Sequence, residues 1–128
     1  NRMDDFEMMV NLNIQRFGIE SDLNDKSFVK SLKKLLNTAK DKGMLNMVSI
    51  EIDGKIEGVE AGIFNENSYT VITGGRNLDV KNIGKLLIME HINFCIDKKI
   101  PIVDFCTTES NWKRLWNLEQ QQLYEFVK

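Results

Sequence analysis

The sequence predicts an α+β domain, a mixed-sheet α/β arrangement in the order ααβββαβαβ, with helices packed on a mostly antiparallel sheet. Three observations predict it. Two amphipathic helical stripes open the chain, over residues 4–17 and 25–42. An alternating apolar run, an Asp-Gly pair and a return run make a hairpin pattern over residues 47–64. A third strand, a glycine-containing loop and a long apolar helix follow over residues 68–98.

The 128 residues suit one domain, 1–128, around one core. The chain starts at Asn1 rather than Met, which reads as a piece of something longer, such as one half of a tandem protein. A formal net charge of −2 with no long run of either sign argues against a dedicated nucleic-acid binder. Lys30, Lys33 and Lys34 read as the solvated side of a helix. No apolar run approaches the roughly 20 residues of a membrane span, and no secretory signal is present. Cys95, Cys106 and the one histidine, His91, lack metal-ligand spacing, so no metal is expected. Both cysteines sit in apolar runs and read as reduced, buried thiols of a cytoplasmic protein.

In the first helix Phe6, Val10, Ile14 and Phe17 share a face, with Met9 at its edge and Gly18 as the stop. In the second, Phe28, Leu32, Leu35, Leu36 and Ala39 form the stripe. Asn24 or Asp25 caps it, and Gly43 ends it. Met47–Ile52 alternates as a strand, and Asp53-Gly54 supplies a two-residue turn. In the return strand, Lys55–Phe64, the alternation slips around Gly58, which predicts a bulge. Asn65-Glu66-Asn67 turns the chain into a third strand, Ser68–Thr73.

The helix from Ile83 to Lys98 is apolar over so wide an arc that its far side is expected to be covered. Pro101–Cys106 reads as a strand, Asn111–Trp116 as a short helix and Glu119–Val127 as a last strand. A strand feeding a loop whose amides sit at a helix N-terminus is a ready place for phosphate oxygens. Here that helix begins at Asn82-Ile83-Gly84-Lys85.

The order and local motifs together resemble the GNAT acyltransferase fold, and more narrowly the C-terminal domain of FemAB/CelD-type acetyltransferases. LNMVSIEIDGKIEG, residues 45–58, is similar to the family's strand–Asp-Gly–strand hairpin. DVKNIGKLL, residues 79–87, resembles its helix start, and VDFCTTESNWKRLW, residues 103–116, its Asp-Phe strand end and following helix. Against the broader motif Q/R-x-x-G-x-G/A, the chain has Lys81 at the first position and Leu86 at the last.

The resemblance implies an acyl-coenzyme A donor, acetyl-CoA or another acyl-CoA, and an amine acceptor. The donor would lie between the strands Ser68–Thr73 and Pro101–Cys106, beside Thr73 and Gly74. Amides after Asn82, on Ile83, Gly84 and Lys85, would hold its pyrophosphate, with charge from Lys81 and Lys85. Asn111 and Lys113 are further cofactor contacts on this reading, Glu60 is the general base and Tyr124 the acid. Read from the residues alone, each has a plainer role. Gly84 lets a helix pack closely, Glu60 is an exposed strand residue, and Tyr124 is a half-buried strand aromatic. Lys113 is a surface lysine, Asn111 a helix cap, Asp104 a paired carboxylate and His91 a hydrogen-bonded core residue.

Several functions stay open at this point. One is acyl transfer to an amine, with aminoacyl-tRNA as a FemAB-type variant donor. Another is a GNAT-like module that binds a ligand or partner without catalysis, completed by a second such domain or a homodimer. A third is a small-ligand sensor with a PAS- or profilin-like sheet. A gap between residues 68–73 and 101–106 supports either GNAT reading; a continuous sheet there supports the sensor.

Overall fold

The computed structural model describes residues 3–106, 116, 118, 119, 121 and 123–125. Helix α1, Phe6–Phe17, buries Phe6, Met9, Val10, Leu12 and Asn13. Its inner face is therefore rotated from the expected line: Met9 is central and Phe17 is exposed. The helix stops at Gly18, whose N–H bonds back to Ile14 O at a φ of 59°. Two 3-10 turns, Gly18–Glu20 and Asp22–Asn24, lead into α2, Lys26–Asp41. Asp25 caps it, accepting from Ser27 N at 2.8 Å and Phe28 N at 3.3 Å. Leu32, Leu36 and Ala39 of the α2 stripe are buried, whereas Phe28 and Leu35 stay exposed.

Strands β1 (Leu45–Ile52), β2 (Lys55–Phe64) and β3 (Tyr69–Arg76) make an antiparallel meander. The β1–β2 turn has positive φ at both Asp53 and Gly54, the geometry that matches the twist of a two-residue hairpin. The expected slip is present. Ile50 faces Gly58 while Glu51 faces Ile56, so Glu57 is the extra residue. A second irregularity lies in β3, where Ala61 faces Thr73 and Gly62 faces Val71, leaving Ile72 over.

Helix α3, Ile83–Lys98, then crosses to β4, Val103–Asp104, which runs parallel to β3 in the order β1-β2-β3-β4. Several expectations change here. The third strand runs to Arg76, beyond Thr73. The strand expected over Pro101–Cys106 shrinks to two residues, because the bulge at Ile72 turns β3 away. Apart from Trp116, the expected helix Asn111–Trp116 lies outside the described residues. Of the expected strand Glu119–Val127, the described positions 119, 121 and 123–125 belong to no strand. Leu123 and Tyr124 are exposed, so they have no apolar face to bury.

Alternation along the strands sorts the layers. Leu45, Met47, Val59 and Ala61 pack with Phe6, Met9, Leu32 and Leu36 under α1 and α2. Each fully buried side chain of this size contributes about 1.5–3 kcal/mol. On the other face, Tyr69, Cys95 and Ile100 cluster with Phe64, Val71, Phe94 and Val103 beside α3. A side chain at Gly75 would strike the backbone of Met9, Leu12 and Asn13, so α1 crosses β3 at backbone contact. The far side of α3 is not covered as expected: Leu86, Met89 and Ile96 are exposed.

Candidate active site

Strands β3 and β4 pair at Tyr69–Val103 and Thr70–Asp104, and then β3 continues to Arg76 without β4. Among the described residues, no strand pairs with Val71–Arg76 on that side, which leaves an edge there. Just past the pairing Cys106 Sγ donates to Val71 O at 3.0 Å. Farther along, Asn13 Nδ2 of α1 donates to Gly74 O at 2.6 Å. Asn13 is itself held by Ser21 Oγ, which donates to Asn13 Oδ1 at 2.6 Å. Among the described residues the β3–β4 pairing stops at Thr70 and Asp104, which is the interruption the GNAT readings expect.

Glu60 lies opposite Gly74 in the β2–β3 register. A side chain at Gly74 would collide with Glu60 Cγ, so the glycine makes room for the carboxylate. The Glu60 side chain is 22% exposed, and its Oε2 is 2.7 Å from Nε2 of the fully buried His91. The other ring nitrogen, Nδ1, is 2.6 Å from the hydroxyl of Tyr69, also fully buried. That hydroxyl accepts from Asn46 Nδ2 at 3.0 Å. Burial pushes the Tyr69 hydroxyl well above its ordinary range, outweighing the lowering effect of Asn46, so it stays protonated.

A cationic end adjoins this network. The guanidinium of Arg76 rests on Gly84 in the first turn of α3. Its Nε is buried with no hydrogen-bond partner among the described residues. Asn82 begins the helix at a left-handed φ of 70°, and no side chain caps it among the described residues. Helix-start amides and a cation with a spare N–H make a donor set for an anion. Arg16, at the end of α1, lies in the same field. Burial lowers its pKa first, the Arg76 charge lowers it further, and the Glu60 charge raises it.

The sequence profile of the acetyltransferase (GNAT) domain matches residues 1–114. The chain belongs to the GNAT acetyltransferase family. Among solved structures, it is similar to a predicted acetyltransferase with acetyl-CoA from Clostridium acetobutylicum. The TM-score is 0.73 at 13% identity, covering 100% of this chain and 92% of that one. A possible acetyltransferase from Clostridium difficile 630 gives a TM-score of 0.71 at 17% identity, covering 100% and 94%. An aminoglycoside acetyltransferase from an uncultured soil metagenomic sample, solved with sisomicin, gives 0.70 at 17% identity, covering 100% and 90%. These likenesses are of fold. No curated protein sequence matches the chain.

In this GNAT domain the predicted site residues divide into groups. Ile83 and Gly84 are buried at the start of α3, with Lys81, Asn82 and Lys85 exposed around it. Gly84 does allow close packing, but against Arg76 rather than against a strand backbone. Gly74 faces Glu60, and Thr73 lines a separate cavity between β3, α1 and α2. Glu60 is joined to His91 rather than freely exposed. Tyr124 is 90% exposed and lies in no strand, so it is not the half-buried strand aromatic the pattern suggested. Asn111 and Lys113 lie outside the described residues. Arg76, Arg16, Tyr69 and Asn46 escaped the sequence reading. The run Gly74-Gly75-Arg76 at the strand end was a signal for Arg76, since a cation follows two positions that admit close approach.

Among the described residues no group of His, Cys, Asp or Glu could hold a metal, and no helix is long and apolar enough to cross a membrane.

Proposed function

We propose that the chain transfers an acyl group, acetyl in the simplest case, from acyl-coenzyme A to an amine. The observation that carries this is the end of β3–β4 pairing at Thr70, near a helix α3 start that no side chain caps among the described residues. The exposed edge of β3 suits the amide-bearing arm of coenzyme A, and the α3 amides with Arg76 suit its pyrophosphate. Lys81 and Lys85 add exposed charge at the same end. Gly74 has no side chain to screen Glu60 from that edge.

In the transfer, Glu60 takes a proton from the ammonium form of the acceptor. The freed amine attacks the thioester carbonyl, the C–S bond breaks, and the proton that the attacking nitrogen sheds in becoming an amide ends on the departing thiolate. One neighbour is an aminoglycoside acetyltransferase in complex with sisomicin, and another is in complex with the bisubstrate analogue CoA-S-monomethyl-acetylneamine, which agrees with an amine acceptor.

Within the family we place the chain beside the FemAB/CelD type, on its Asp53-Gly54 hairpin and the helix start at residues 79–87. Cys95 is buried as expected, whereas Cys106 is exposed because it lies past the two-residue β4; as thiols both suit a cytoplasmic setting. The test is calorimetric titration of the folded chain with acetyl-CoA and coenzyme A. Micromolar binding of both is the expected result. No binding by a folded sample overturns the donor assignment and leaves a non-catalytic module.

A further inference from the structure

We propose that Asn46, Tyr69 and His91 are positioning residues that hold Glu60 with Oε2 engaged and Oε1 free to act as the base. This rests on the reading of Glu60 as the base of the acyl transfer. The directions of the bonds follow from the donor inventory. The Asn46 amide nitrogen only donates, so Tyr69 O accepts from it at 3.0 Å. Tyr69 then has one proton to give, and His91 Nδ1 is 2.6 Å away. Nδ1 must be bare to accept it. The proton of a neutral His91 is therefore on Nε2, 2.7 Å from Glu60 Oε2.

The cost of this arrangement argues that it acts. Tyr69 and His91 are both fully buried, in a layer otherwise filled by Leu87, Cys95 and Ile100. Apolar residues would fill the same space without needing partners for three polar groups. The chain of bonds runs across β1, β3, α3 and β2, through the fully buried Tyr69 and His91, and ends at Glu60, whose carboxylate reaches solvent. A carboxylate gripped at one oxygen presents the other in a single orientation, which is what proton abstraction in a fixed geometry requires. The charged and titratable groups facing Glu60 are His91 from α3, Tyr69 and Arg76 from β3, and Arg16 from α1.

The test uses the full chain and two readouts. His91 is the one histidine, so a two-bond nitrogen–proton NMR spectrum of the labelled protein reports its tautomer directly. The wild type is expected to show the proton on Nε2 near neutral pH, and Tyr69→Phe to lose that single-tautomer pattern. The second readout is release of the coenzyme A thiol from acetyl-CoA with water as acceptor, followed against pH. Glu60→Gln is expected to slow it about 100-fold or more, the scale of a lost general base. Tyr69→Phe and His91→Leu are expected to slow it about tenfold or more, because the orientation of the Glu60 carboxylate is no longer fixed through His91. His91→Gln keeps an N–H for Oε2 and is expected to restore most of the rate. A wild-type proton on Nδ1, or a Tyr69→Phe variant with unchanged tautomer and rate, overturns the positioning role. An unchanged rate in Glu60→Gln overturns the base itself. The tautomer then still reports on the bond directions.

Discussion

The guanidinium of Arg76 lies against Gly84 at the start of α3, with its Nε buried and unpartnered among the described residues. A cation at the positive end of a helix is electrostatically unfavourable. An anion placed there pairs with both the guanidinium and the helix amides. Arg76→Gln should therefore weaken acetyl-CoA binding about tenfold to a hundredfold, the scale of a hydrogen bond to a charged group. Titration calorimetry at two salt concentrations checks this, and the variant should also show a shallower salt dependence.

Gly84→Val addresses the same place from the helix side. A side chain at Gly84 would take the space of the Arg76 guanidinium, which is the far end of a flexible side chain. The helix should survive and the anion site should not. Circular dichroism is expected to stay near that of the wild type while coenzyme A binding is lost. Retained affinity would remove the phosphate site from the start of α3.

Gly74→Ala tests the room made for Glu60. Its Cβ would meet Glu60 Cγ and lie 2.8 Å from Val59 O, where backbone cannot easily yield. The expected cost is about 1–3 kcal/mol, as for an overpacked interior site. Urea unfolding measures it. Thiol release from acetyl-CoA should fall along with stability, since the carboxylate is displaced from His91.

Tyr69 sets an alkaline limit. Its hydroxyl is raised above the ordinary value of 10.0, chiefly by burial. In the unfolded chain it ionises near 10, while the folded chain still holds the proton. The folded state then binds more protons, so stability is fully present below pH 10 and falls as pH rises above it. Tyr69→Phe should flatten that alkaline fall, although it costs the hydrogen bonds to His91 and Asn46 at every pH. Urea unfolding at pH 8 and pH 11 separates the two effects.

Much of the fold was legible because its signals are local. Asp53-Gly54 can adopt two positive φ angles, Asp25 can reach the amides of Ser27 and Phe28, and Gly58 marks a slip in alternation. Each depends on residues within a few positions of one another, so neighbours in the chain suffice to read it. Glu60, Gly84 and the helix start at Asn82 were legible as candidates for the same reason, through residue type and place on an element.

What those residues do was decided by contacts between distant parts of the chain. His91 read correctly as a hydrogen-bonded core residue, yet nothing near it in sequence shows that its partners are Glu60 and Tyr69. Arg76 meets Gly84 only because β3 runs past Thr73 and α3 folds back over its end. Among the described residues, the edge of β3 past Thr70 arises from a bulge at Ile72 and a two-residue pairing with β4. The sequence by itself determined which elements form and where they turn, because capping, turn and alternation energies act over one or two turns of chain. Only the tertiary structure decided which carboxylate is gripped, which guanidinium meets the start of α3 and where β3 and β4 stop pairing, because those depend on register and packing across the domain.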